Sequence, residues 1–304
     1  MRKTVREQFS FKGTGIHTGV NAVIDVIPSY DAKGIYFSYE DDVNAKLGFI
    51  PCHIANVVST QRCTVLGNGE KSVWTVEHLL ASLHANGITD AELRIDGPEV
   101  PVLDGSGEEF QRLIDAAGTE EYQGDSWDVL VIDEVMEFEC AQSGAIYTAH
   151  PSNQYELEVV LKYDNAVLGD MQAQWTFGND FGSQIAPART FSLFSEISGL
   201  IKSGMIQGGS LKNAVVIQDD DIPTEQIKSE IHKYISGNSD VSVKNQVING
   251  PLFFPNEPAR HKILDMLGDL SLLNLRIQGR VSATRPGHTG NYNFARYLIN
   301  AFYG

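Results

Sequence analysis

Cysteine is scarce in this sequence. Cys52, Cys63 and Cys140 are the only three in 304 residues, widely spaced and without a CxxC pair. That excludes a disulfide framework and a cysteine-ligated zinc site as working readings, and it fits a reducing compartment. Long apolar runs are missing as well. No window approaches the roughly 20 apolar residues that span a bilayer. The opening residues, MRKTVREQFSFKG, are charged and polar and contain no apolar core of a secretory signal. Positive charge is in short supply: 23 Lys and Arg stand against 39 Asp and Glu, a formal net charge of -16. Nucleic acid is therefore not expected as the main partner, because phosphate-backbone binding needs a clustered basic surface. A small anionic substrate remains compatible, since one or two local cations capture a phosphate. Low-complexity tracts, Gly/Ser linkers and a strict internal period are all absent. What remains, 42% hydrophobic and 20% charged residues, is the make-up of an ordinary globular protein with a substantial core. The expected location is the cytoplasm.

The pattern of elements runs twice from strands to helices. TVREQFSFKGTGIHTG, VNAVIDVIP and GIYFSYE alternate like strands and are broken by Gly. Helix is expected at TVEHLLASLHANG, with Thr75 as N-cap, a stripe of Val76, Leu79, Leu80 and Leu83, and Gly87 as the stop. After the strand AELRID, DGSGEEFQRLIDAAG reads as a helix opened by a Ser106–Glu109 capping box and ended by Gly118. TEEYQGDSW is the best linker. Strands then return from DVLVIDEV to AQWTFG, followed by helical segments at FSLFSEISGLIKSG, TEQIKSEIHKYISG, HKILDMLGDLSLL and NYNFARYLINAFYG. Two α+β domains are expected, residues 1–124 and 125–304.

Three places hold residues of catalytic type. In RHKILDMLGD, His261, Asp265 and Asp269 recur every fourth residue, so they share one helix face. A His and a carboxylate so spaced can reach one cation. A plain helical ion pair explains the same spacing, and on this segment alone the two readings stay level. In TVEHLL, Glu77 and His78 open a helix, whose positive N-terminus favours an ionised Glu and a neutral His. A solvated first turn explains that pair equally simply. His288 in TRPGHTGNYN sits in a Gly/Pro loop before the last helix, an acid–base position or an ordinary surface histidine. His17 in GTGIHTG reads as structural, and His84, six residues past His78, fails HExxH. GTG lacks the GxGxxG spacing of a dinucleotide fingerprint. From the residues alone, a metal hydrolase is one open reading and a salt-bridged fold the other.

The ordered set GTGIHTG, TVEHLLASL, PVLDGSGEEF, ARTFSLF, GGSLKNAVV, RHKILDMLGDL and GHTGN resembles the UDP-3-O-acyl-N-acetylglucosamine deacetylase family, zinc amidases of lipid A biosynthesis, over nearly the whole chain. The resemblance implies an α+β fold of two similar two-layer domains, with helices packed between the sheets and the active site at the domain junction. It implies His78, His261 and Asp265 as ligands of Zn2+, a site type that also accepts Fe2+. It makes Glu77 the general base and His288 the group that stabilises the oxyanion and protonates the amine. Asp269 is implied as the partner of His288, and Thr190 as the hydroxyl that polarises the scissile carbonyl. Lys262, Phe191 and Gly209 are implied in substrate binding.

The resemblance also implies an apolar passage for the acyl chain, here with a stripe of Ile197, Leu200, Ile201 and Met205 in SLFSEISGLIKSGMIQGGS. The implied substrate is UDP-3-O-acyl-N-acetylglucosamine and the implied state a monomer. The segment around 221–250 departs from compact members by a longer insertion. RPGHTGN resembles a subgroup whose deacetylase is sometimes fused to an acyl-carrier dehydratase.

Overall fold

The computed structural model describes residues 1–39, 48–125, 127–231, 241–248 and 250–303. His232, the end of the helix expected at TEQIKSEIHKYISG, and part of the 221–250 insertion lie outside the described residues.

The first half threads four strands, Phe9–Thr14, Asn21–Pro28, Ile35–Tyr39 and Ile50–Pro51, then helix α1 (Glu77–Ala85), strand Ala91–Ile95 and helix α2 (Glu108–Ala117). In space, Ala91–Ile95 slips between Asn21–Pro28 and Ile35–Tyr39, antiparallel to the former and parallel to the latter. The second half repeats this plan. Met136–Glu139, Ile146–His150, Tyr155–Val160 and Gln172–Thr176 precede a long helix and the strand Arg276–Thr284. That strand again enters the middle, antiparallel to Ile146–His150 and parallel to Tyr155–Val160. The strands alternate buried and less buried residues, as in Tyr155–Val160, because one face of each sheet packs on helices and the other meets solvent.

Each half also carries an extra layer at the same point of the plan, between its fourth strand and its first long helix. In the first half it is a small sheet of Val57–Ser59, Val65–Gly67 and Ser72–Val73. In the second it is a four-stranded sheet with the short helices α3 (Phe181–Gln184), α4 (Phe194–Lys202) and α5 (Thr224–Glu230). Helices α6 (Glu257–Ser271) and α7 (His288–Tyr303) complete the second half.

α1 packs along α6, and α6 packs in turn on Tyr155–Val160, Gln172–Thr176 and α7. Both central helices are interior. Glu77 to His84 are all buried, and α6 is buried except at Arg260 and Lys262. Leu79 and Leu83 of α1 and Ile263 and Leu267 of α6 belong to one apolar cluster that also includes residues of both large sheets. The polar face read from RHKILDMLGD is thus not a solvated face.

Several local expectations differ. Thr75 does not cap α1: the preceding position is Val76, without a side-chain cap, while Thr75 itself is left-handed at φ 57° and its hydroxyl goes to Glu99. Ser106 and Glu109 form no capping box. Ser106 Oγ accepts from the Glu108 amide, and Glu109 pairs with Arg112. His288 is not in a loop but is the first residue of α7. Gly87 and Gly118 do end their helices at positive φ, 69° and 68°, where a side chain is strained. Pro258 stands in the first turn of α6, where its missing N–H leaves no bond unmade.

The crossing of α1 and α6 hinges on Gly268. A Cβ added there would lie 2.1 Å from the Glu77 carbonyl oxygen, a clash with backbone that no rotamer relieves. Gly268→Ala is expected to destabilise the protein by about 1–3 kcal/mol, the usual cost of overpacking. Gly199→Ala in α4, where nothing lies within 4 Å of the added methyl, should be neutral or stabilising by about 0.5–1 kcal/mol. Denaturant unfolding of both variants checks the contrast.

Candidate active site

The α1–α6 crossing brings together side chains that are far apart in sequence. Glu77 and His78 project from the first turn of α1, and His261, Asp265 and Asp269 from successive turns of α6. His288 arrives at the start of α7. All six are buried. They divide into two adjoining groups.

The first group is His78, His261 and Asp265, one ligand atom of each lying within 4.8 Å of the others. Asp265 Oδ1 is 3.5 Å from His78 Nε2 and 3.3 Å from His261 Nε2. Donors at about 2.0–2.1 Å from a tetrahedral ion are about 3.3 Å apart, so the spacing fits one small cation. Asp265 Oδ1, the oxygen facing both histidine Nε2 atoms, is buried without a hydrogen-bond partner, a costly state for a dry protein and a natural one around a cation. His261 Nδ1 faces the Ala188 carbonyl at 3.0 Å, and a carbonyl only accepts. The proton therefore sits on Nδ1, leaving the Nε2 lone pair free for a metal. Burial holds His261 neutral, with its pKa pushed down to about 3. Burial works against ionised Asp265, but its pKa stays well below the usual range, with the Lys262 ammonium the standing positive charge beside it. The Lys262 ammonium lies 2.7 Å from Asp265 Oδ2, the oxygen turned away from the histidines.

The second group is Glu77, Asp269 and His288. His288 Nδ1 donates to Asp269 Oδ2 at 2.9 Å, and its Nε2 is 3.7 Å from Glu77 Oε1. Burial disfavours the imidazolium, yet Asp269 and Glu77 raise its pKa to about 9. For Glu77 burial dominates and raises the carboxyl pKa, with His288 and His78 opposing. Asp269 is further fixed by Asn291 Nδ2 at 2.7 Å and by the Thr64 hydroxyl at 2.5 Å. Tyr147 hydroxyl in turn donates to Asn291 at 2.7 Å, and the Thr64 amide donates to Glu77 at 3.0 Å.

Both groups open onto one cavity of about 390 Å³. Thr190, Phe191, Gly209 and Lys262 line it, together with Glu77, His78, His261, Asp265 and His288. Asp269 stands behind His288 and does not line it. Of the stripe expected on the insert, Ile197, Leu200 and Ile201 face the cavity. Met205 does not: it is buried outside the lining, and Ile206 takes that place because the chain turns out of α4 at Ser203. His17, read as structural from its turn context, also lines the cavity, with its Nδ1 buried and without a hydrogen-bond partner. His84 is packed at the far end of α1 against Trp127, Tyr155 and Phe177.

Sequence reasoning missed Thr64, Asn291 and the Ala188 carbonyl. Asn291 follows His288 by three residues on α7, a spacing that a helix start at His288 would have exposed. The other two carry no local signal, since they meet the site only through the fold.

The chain resembles proteins of known kind along nearly all its length. The family profile described as LpxC, UDP-3-O-acyl N-acetylglycosamine deacetylase, matches residues 2–234 and 228–300. A bifunctional enzyme LpxC/FabZ of Bacteroides thetaiotaomicron is 35% identical over 297 residues, 98% of this chain and 64% of that protein. The chain thus spans under two thirds of the length of the bifunctional relatives it matches. UDP-3-O-acyl-N-acetylglucosamine deacetylases of Thermodesulfovibrio yellowstonii and Chlamydia muridarum are 34% and 32% identical, covering 98% and 99% of this chain and 91% and 95% of those proteins. The match runs through both halves that build the cavity, and by it the chain belongs to the LpxC family of UDP-3-O-acyl N-acetylglycosamine deacetylases.

Proposed function

We propose that this protein hydrolyses the N-acetyl group of UDP-3-O-acyl-N-acetylglucosamine, a step of lipid A biosynthesis, to give the free amine and acetate. The observation that carries the reading is the pairing of a His78–His261–Asp265 set with a Glu77–His288–Asp269 set at one cavity. The names of the relatives supply the substrate. The apolar wall of Ile197, Leu200 and Ile201 favours an acylated sugar over an unacylated one. The division into domains 1–124 and 125–304 is part of the proposal, supported by the repeated strand order. Among the described residues no helix is long and apolar enough to cross a membrane, and Cys52, Cys63 and Cys140 are all free. Both agree with a cytoplasmic enzyme.

His78, His261 and Asp265 would hold the metal, Zn2+ in the first place and Fe2+ in the second, leaving a position open for substrate. When bound, such an ion supplies Lewis acidity toward the amide carbonyl and toward water. Glu77 acts as general base and takes a proton from the attacking water. Burial raises its pKa, which makes it a stronger base than an exposed carboxylate. Thr190 offers a hydroxyl to the developing oxyanion, helped by the positive charge of His288. His288 then gives its Nε2 proton to the nitrogen as the C–N bond breaks. Asp269, receiving Nδ1–H, fixes the ring so that Nε2 points at the cavity. Lys262 adds positive charge for the diphosphate, while Phe191 and Gly209 shape the wall.

Acetate release from the acylated nucleotide sugar, measured on metal-loaded protein, tests the reading. No release would overturn it. Glu77→Gln should keep one bound metal per chain by elemental analysis and lose about 10²–10⁴ in kcat; near-normal turnover would remove Glu77 as base. His261→Ala should purify without stoichiometric metal, and full metal retention would show that the ligand set is wrong.

A further inference from the structure

The most heavily bonded carboxylate near the cavity is one that the proposed reaction does not use. Glu99 is completely buried. Its Oε1 accepts the His17 amide at 3.0 Å and the Thr75 hydroxyl at 2.6 Å. Its Oε2 accepts the Thr18 amide and the Thr18 hydroxyl, each at 2.7 Å, and shares the His17 amide at 3.2 Å. These donors come from two places that bear on the site. One is the turn 15–20, closed by Gly15 to Val20 and Gly19 to Gly15 backbone bonds. The other is Thr75, held left-handed at φ 57° two residues before Glu77. For a β-branched residue that conformation costs free energy, and the 2.6 Å bond to Glu99 ties its hydroxyl down.

The turn reaches further. Its carbonyls at Ile16 and His17 accept the amides of Gly208 and Gln207, at 3.1 and 3.2 Å. That is where the chain leaves α4 and Ile206, the apolar wall of the cavity. The fit is tight: a Cβ on Gly208 would lie 2.2 Å from the Gly15 carbonyl oxygen, and one on Gly15 would lie 2.2 Å from Glu99 Oε2. The contact leaves no slack between carboxylate, turn and insert.

We propose that Glu99 is a positioning residue for the reaction. Through the 15–20 turn it seats the insert that forms the apolar wall. The part concerning acyl chains rests on the function proposed above. The seating of the insert does not.

Glu99→Gln is the informative substitution. It keeps size and shape, but its NH2 either faces the Thr18 amide or leaves the His17 amide only the longer 3.2 Å bond to the other oxygen, so the turn is held less firmly in either orientation. Two readouts are needed. By hydrogen exchange, the amides of Gln207 and Gly208 should lose protection, while those in the middle of α6 keep theirs. In acetate release, the preference for a long over a short acyl chain, as a ratio of kcat/KM, should fall about tenfold, since misplaced binding walls cost rate on that order. Metal content should stay at the wild-type value. A lower melting temperature with unchanged protection at 207–208 and an unchanged chain-length ratio would make Glu99 a stability residue only and overturn the proposal. If Glu99→Gln does not fold, Thr18→Val, which removes one of the four short bonds, should shift both readouts the same way by less; no shift in either also overturns it. A wild-type protein that releases no acetate refutes the proposed function, and the exchange result still decides the role of Glu99.

Discussion

The site depends on one close contact, the crossing of α1 and α6 where Gly268 lies under the Glu77 carbonyl. Helices carrying larger side chains at a crossing stay about 8–10 Å apart. A glycine lets the first turn of α1 come near enough for His78 to share space with His261 and Asp265. The same approach puts Glu77 opposite His288, on the next helix of the second half. Each half of the repeated fold contributes a long helix, and neither helix alone holds a complete set. The crossing makes one site out of two incomplete ones.

Such a contact gathers charge in a dry interior, which is unfavourable unless the charges are arranged. Six titratable groups are buried here within two short stretches of α1 and α6 and one residue of α7. Their environments drive them apart in protonation. His261 is held neutral by burial, Asp265 is kept ionised beside the Lys262 ammonium, and His288 is held cationic by Asp269 and Glu77. Glu77 is the carboxyl whose pKa burial raises, with His288 and His78 opposing. Pairs whose pKa values are separated by environment are what acid–base chemistry requires. The unpaired Oδ1 of Asp265 marks where protein groups alone do not balance the charge.

Around this centre, the two inserted layers shape what can enter. They occupy equivalent points of the repeat yet differ in size, and only the second supplies an apolar helix, α4. Its attachment to the 15–20 turn of the first half means that both halves build the wall as well as the chemistry. Glu99, far from the reacting groups in sequence order, joins these parts through four short hydrogen bonds.

Much of this was legible in the sequence, for physical reasons. Periodicity marked the helices, because 3.6-residue spacing shows wherever a face is buried. Gly87, Gly118 and Pro258 marked helix ends, because backbone geometry restricts which residues stand there. The four-residue rhythm of His261, Asp265 and Asp269 put three side chains on one face, and an ordered set of motifs named the family. The capping assignment at Thr75 failed because a tertiary partner, Glu99, took its side chain, and that at Ser106 because a local turn partner, Asp104, took the hydroxyl. Met205 and Ile206 exchanged places because a turn after α4 reset the period. Whether the polar stripe of α6 met water or another helix was open to the sequence, since an ion-paired face and a ligand face share one spacing. Tertiary structure decided it. A glycine that lets two backbones approach is silent in any single segment, and so are the Ala188 carbonyl and Thr64, which act only once distant strands have brought them within reach.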